Sequence, residues 1–183
     1  MSKKGFTLVE LLTAIIITGV LVAMAVPMYE KTIEKSRMAE VRVRLSKLFD
    51  SKIRVMTDMS MYTYNSNLLK AENLDISFPC VGTNGTAVEC TGITFSTKDF
   101  SYSLNPSGNL PDGVKLRTNS GVANSVSSAV CAKRLKGENA GTVFLYLGDL
   151  STDESKRFYC NDGTSSGGCE RLGMTSVGTK SWC

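Results

Sequence analysis

Residues 6–29 read FTLVELLTAIIITGVLVAMAVPMY and carry a single charge, Glu10. As an α-helix, these 24 residues span about 36 Å at about 1.5 Å per residue, against a hydrocarbon core about 30 Å thick. A helix apolar on every side has no face to turn to water, so the run must lie in lipid or against other protein. Lys3 and Lys4 precede it. The positive-inside rule therefore keeps that end in the cytoplasm and exports everything after Tyr29.

The cysteines agree with export. Cys80, Cys90, Cys131, Cys160, Cys169 and Cys183 follow one another at spacings of 10, 41, 29, 9 and 14, with no CxxC pair, and the chain has no histidine. An even count, wide spacing and no imidazole favour disulfides over a metal site. Without histidine, a Ser-His-Asp triad, a Cys-His pair and the His-containing zinc sites are unavailable. The sequence offers no acid/base constellation, metal or cofactor site, so it reads as a non-enzyme. Asp149, Asp153, Glu154 and Asp162 share loop regions but lack EF-hand spacing. The net charge of +4 sits wholly in the first third, since residues 62–183 hold eleven basic and eleven acidic side chains. Net charge thus gives the C-terminal part no general affinity for nucleic acid.

Two export segments fit the hydropathy. A secretory signal would be cut after Ala25, within Ala23-Met24-Ala25, releasing a soluble disulfide-rich binding domain. The other kind keeps the apolar helix and loses only the basic leader. Glu10 favours the second, because a carboxylate inside an apolar segment is costly and a discarded signal gains nothing from it.

Lys3-Lys4-Gly5 followed by Phe6-Thr7-Leu8-Val9-Glu10-Leu11-Leu12 resembles the class III signal of type IV prepilins and pseudopilins: a basic leader ending in Gly, then Phe, then Glu four positions on, heading a long apolar helix. The likeness covers about the first 30 residues. It implies that prepilin peptidase cuts between Gly5 and Phe6 and methylates the new Phe6 amine. It further implies that Glu10 pairs with the Phe6 amine of a neighbouring subunit, setting axial register in a homo-oligomeric helical filament. An intrachain pair satisfies the same four-residue offset. Opposite charges in a low-dielectric bundle attract strongly and are costly when unpaired. Gly19 and Pro27 interrupt the helix, and proline is expected to kink or break it. In assembled type IV pili the segment between such residues can lose helical structure. Pseudopilins often lack the proline, so Pro27 leans toward a true pilin.

Past Tyr29 the helix should continue to about residue 61, turning amphipathic. Met38, Val41, Leu45, Leu48, Phe49, Ile53, Met56 and Met59 recur at steps of three or four, while Lys31, Lys35, Arg37, Arg42, Arg44, Lys47, Lys52 and Arg54 mostly occupy the other positions. Residues 62–80 read as loop with one short helix over 66–72. Beyond them, β-like runs at 93–96, 100–104, 114–118, 128–134, 142–147 and 157–160 are separated by turn chemistry such as Asn105-Pro106-Ser107-Gly108. Strands at this spacing predict an antiparallel sheet whose one face covers the helix.

The expected fold is α+β: a long N-terminal α-helix packed on an antiparallel β-sheet head, stapled by disulfides. Its parts are a leader (1–5), an apolar transmembrane and filament-core helix (6–29), an amphipathic half of the same helix (30–61) and a head (62–183). Cys80 with Cys90 is the foremost expected pair, closing a tip at Thr83-Asn84-Gly85-Thr86. Cys131 with Cys160 would join neighbouring strands, and Cys169 with Cys183 would tie down the tail. Asn84-Gly85-Thr86 also satisfies a glycosylation sequon that arises readily by chance. Lys133, Arg134, Lys136, Lys156 and Arg157 could gather as a DNA-catching patch, although a solvated surface is the commoner fate of such residues. The resemblance makes the chain a structural subunit of a type IV pilus or pilus-like filament, with a type II secretion pseudopilin as the alternative. Its partners would be other pilin subunits, prepilin peptidase, the assembly machinery and, before assembly, the bacterial inner membrane. The filament would stand at the cell surface.

Overall fold

A computed structural model describes residues 5–59, 69–106, 116–118, 121–123, 129–148, 158–164, 166–177 and 183. Helix α1 runs Leu8–Asp58, 51 residues. The expected break at Pro27 does not occur, because α1 continues through both Gly19 and Pro27. Proline removes one N–H from a ladder that the turns on either side still hold. The threonine hydroxyls in the apolar stretch bond back to the helix itself. Thr13 donates to the carbonyl of Val9 and Thr18 to that of Ala14, so no hydroxyl needs an outside partner. The chain divides into two compact units, residues 1–39 and 40–183.

From Val41 onward α1 buries Val41, Leu45, Leu48, Phe49, Ser51, Lys52 and Val55. The expected stripe drifts in its last turns, since Ile53 and Met59 are exposed and Val55 takes the inner position. Steps of three and four from Leu45 run through Leu48 and Lys52 to Val55, which places a lysine on the buried face.

The six β-like runs correspond to strands β1 (Thr94–Ser96), β2 (Phe100–Ser103), β3 (Leu116–Thr118), β5 (Ala129–Arg134), β6 (Val143–Leu147) and β7 (Phe158–Asn161). The sequence reading lacked β4 (Gly121–Ala123), which pairs with β3 in a separate antiparallel hairpin. Its Gly-Val-Ala has neither alternation nor bulk to mark it. The expected short helix lies mostly outside the described residues, and a 3₁₀ turn, Ala71–Asn73, occupies its end. Helix α2 (Gly168–Arg171) is one turn long.

The main sheet is antiparallel with order β1-β2-β5-β6-β7. Directly paired residues share a face, and alternation sorts the side chains into two sets. Phe95, Phe100, Tyr102, Phe144, Tyr146 and Phe158 fall on one face. This aromatic face meets α1: Phe49 packs on Tyr146 at 5.7 Å between ring centroids, and the Arg42 guanidinium lies 4.9 Å over Phe158. Gly148 admits Phe49 here, because a Cβ at that position would fall inside the Phe49 ring. Ala129, Cys131, Val143, Leu145 and Leu147 form a second buried cluster on the opposite face, with Tyr159 and Cys183 packed against it.

Both sheet edges are occupied. Val81 donates to the Ser96 carbonyl outside β1, and Val177 donates to the Cys160 carbonyl outside β7. Each edge of the main sheet thus carries a backbone bond to a flanking segment, which blunts it as a template for pairing.

The disulfides join Cys80 to Cys90, Cys131 to Cys183 and Cys160 to Cys169. The first is the foremost expected pair, and the other two correct the expected pairings. Cys131 pairs across β5–β6 with Leu145, which pairs across β6–β7 with Tyr159, the neighbour of Cys160. A whole strand therefore separates Cys131 from Cys160, and their side chains point to opposite faces. At about 4.8 Å per strand they lie beyond disulfide reach. Cys131 instead ties Cys183 to the second face, and Cys160 closes a nine-residue step to Cys169.

Candidate functional site

The apolar half of α1 is unsatisfied. Every described side chain from Phe6 to Thr32 is exposed, Phe6 at 83%. This is the one described helix long and apolar enough to cross a membrane.

Its head is ordered by a hydrogen-bond set that the sequence reading missed. The Leu11 N–H donates to the Thr7 carbonyl at 3.3 Å, which makes Thr7 the N-cap of α1. The Glu10 N–H donates to Thr7 Oγ1 at 3.3 Å. In return, the Thr7 N–H and hydroxyl both donate to Glu10 Oε2, at 2.9 and 2.7 Å. This is a capping box, and Thr-x-x-Glu was its visible signal. Gly5, Phe6 and Thr7 lie before the helix in non-helical backbone. The bond between Gly5 and Phe6 is thus outside the helical ladder, with Glu10 in the first turn of the helix that follows. Gly19 and Pro27 lie further along the same exposed surface, and a Cβ built at Gly19 meets nothing within 4 Å.

Other candidate residues do not converge. Lys133 and Arg134 are consecutive in β5 and so point to opposite faces. Arg134 is buried over the Phe100 ring at 4.9 Å, 3.4 Å from the Asp99 carboxylate. Alternation therefore splits the basic run that a DNA patch would need; Lys156 and Arg157 lie outside the described residues. Asp162 accepts the Cys169 N–H at 2.8 Å, a bond inside the Cys160–Cys169 loop. Asp149, Asp153 and Glu154 lie outside the described residues. Asn84 is exposed at the tip closed by Cys80 and Cys90, where Gly85 takes φ 75°.

Lys52 corrects the sequence reading most sharply, for it counts there among the basic residues off the apolar stripe, and it is completely buried. Its Nζ donates to the Leu104 carbonyl at 2.7 Å and the Ala129 carbonyl at 2.8 Å, where β2 and β5 part. Burial pushes its amine down to about 7 from the usual 10.5. Near the surface, Arg54 chelates Asp75 with Nε at 2.5 Å and Nη2 at 2.9 Å, and Ser51 donates to the same carboxylate. These bonds hold Asp75 at about 2, below its usual 3.8. Lys52 and Asp75 fix the head to α1 from within and without.

The described residues thus comprise a disulfide-stapled α+β head and a helix long and apolar enough to cross a membrane, with a capped carboxylate at its start. Residues 1–26 match the model of the prokaryotic N-terminal methylation motif. That motif marks a class III signal peptide of type IV pilin-like proteins and supports a pilin-like or pseudopilin role. No curated protein and no solved structure matches the chain. Membrane anchoring before assembly is consistent with the motif and the apolar helix together.

Proposed function

We propose that this protein is a structural subunit of a type IV pilus or pilus-like filament. Prepilin peptidase cuts between Gly5 and Phe6 and methylates the Phe6 amine. The subunit waits in the inner membrane on residues 6–29, then polymerises through them into a surface filament. The observation that carries this reading is the conjunction at one helix end: a matched methylation motif heading an apolar helix whose described side chains from Phe6 to Tyr29 are all exposed. Burial of one large apolar side chain is worth about 1.5–3 kcal/mol, so association of such helices outside lipid is strongly driven. Glu10 supplies register, since a carboxylate in an apolar bundle is tolerated only where a cation meets it. Pro27 favours the pilus form over the secretion pseudopilin.

Electron microscopy of cells carrying or lacking this chain tests the proposal. Surface filaments that label with antibody to the head, and vanish on deletion, support a pilus. Loss of protein secretion without loss of filaments replaces it with the pseudopilin reading. In Glu10→Ala, processed subunit should accumulate in the membrane and filaments should be lost. Normal filaments in that variant would end the register role of Glu10.

A further inference from the structure

The disulfide pairing is nested. Cys160–Cys169 lies inside the span closed by Cys131–Cys183, whereas Cys80–Cys90 joins two consecutive cysteines. We infer that the head is a substrate for a disulfide isomerase of the exported compartment, a dithiol protein that converts consecutive pairing at Cys131, Cys160, Cys169 and Cys183 into the nested pairing. The inference rests on export of the head, which the proposed filament function shares.

Consecutive pairing follows from the order of emergence. A chain anchored on residues 6–29 exposes Cys131 to an oxidising compartment before Cys160, and Cys160 before Cys183. At about 5–20 residues per second, the stretch from Cys160 to Cys183 takes about 1–5 s to follow. A thiol oxidase joined to Cys131 is released by the next thiol to appear, Cys160, and takes up the two electrons as that bridge forms. Loop closure does not reverse the outcome. It falls with about the 3/2 power of loop length, so the spacing of 29 to Cys160 is favoured about twofold over the 52 to Cys183. Cys169 prefers Cys160 to Cys183 by about the same factor, and the two preferences cancel.

The folded sheet cannot hold the first of these consecutive bridges. Cys131 lies on the second face with Cys183 packed against it, whereas Cys160 shares the aromatic face with Phe144, its partner across β6–β7. Nor can the mispaired chain repair itself, because its six cysteines form three bridges and leave no free thiol. An outside thiolate has to start the exchange. It attacks Cys160 Sγ, forming a mixed disulfide and releasing the Cys131 thiolate. Cys131 attacks Cys183 Sγ in the second wrong bridge and releases the Cys169 thiolate. Cys169 then attacks Cys160 Sγ, closing the second native bridge and freeing the isomerase thiolate. Three S–S bonds break and three form, with no net oxidation. The native fold then protects the product, because Cys131, Cys160 and Cys169 are fully buried.

The test expresses the full exported chain in cells that carry or lack the compartment's disulfide isomerase, with the thiol oxidase intact. Free thiols are trapped by alkylation, and linked peptides are mapped without reduction. Cys80–Cys90 should form in both strains, since it is consecutive and needs no exchange. With the isomerase, Cys131–Cys183 and Cys160–Cys169 should be the other linked pairs. Without it, Cys131–Cys160 should accumulate and Cys131–Cys183 should be largely lost. Native pairs at the same level in both strains overturn the inference. In Cys160→Ala/Cys169→Ala the Cys131–Cys183 pair becomes consecutive, so its yield should be the same with and without the isomerase. Persistent dependence in that variant shows that nesting is not the cause and also overturns the inference. Six cysteines that alkylate as free thiols in both strains overturn the export reading instead, so the two failures are told apart.

Discussion

Replacing Lys52 by methionine isolates the internal fastening of α1 to the head. Methionine keeps an unbranched stem of similar length and deletes the amine that bonds the Leu104 and Ala129 carbonyls. The folded amine titrates at about 7 and the unfolded one near 10.5. Between those values the unfolded chain holds a proton that the folded chain has released. Stability therefore rises with pH across that window, by up to about 1.4 kcal/mol per pH unit, and is level below it. The contribution is full above about 10.5 and lost as pH falls toward 7. At the alkaline end the substitution costs the two buried hydrogen bonds, about 1–3 kcal/mol together. Toward pH 7 folding the wild type costs the release of a proton that the unfolded lysine holds, a cost methionine avoids, so the difference shrinks or reverses. Denaturant unfolding of the detergent-solubilised chain at pH 7.5, 8.5 and 9.5 reads this directly, and the other titrating groups cancel between wild type and Lys52→Met. A gap that widens with pH is the expected result. Parallel profiles would show that Lys52 is not held in a low-dielectric site, and the reasoning would fail.

Two further perturbations probe the packing. Gly148→Ala drives a methyl into the Phe49 ring and should destabilise the head by about 1–3 kcal/mol or more, seen as a lower unfolding midpoint. An unchanged midpoint would show that the α1–sheet contact gives way freely. Cys131→Ser with Cys183→Ser should cost about 2–4 kcal/mol and increase hydrogen exchange in β5 and β6, because the second sheet face loses its tie. Peptide mapping without reduction should recover a Cys131–Cys183 linked pair, and a Cys131–Cys160 pair would contradict the strand order.

Much of the architecture was legible because it rests on periodicity. The apolar run, the amphipathic turns through Leu48 and Phe49, and β6 all announce themselves in residue type and spacing. The cysteine pairing did not, since it depends on strand order: β6 separates β5 from β7, and no local pattern around Cys131 or Cys160 encodes that. Lys52 was misjudged because its charge outweighed its position, although steps from Leu45 and Leu48 place it on the buried face. β4 is too short and too small in side chains to carry a signal. At the site, Gly5, Phe6 and Glu10 were readable as a joint pattern. Thr7 was readable too, as the first residue of Thr-x-x-Glu, a capping pattern embedded in an export signal.

What the cell does to the first residues decides the fate of the chain, and the intact mass of the mature protein measures that. A chain that begins at Phe6 and is one methyl group heavier than its sequence, with all six cysteines oxidised, is the predicted result. A mature chain beginning at Val26, or one that retains Met1 to Gly5, would contradict it.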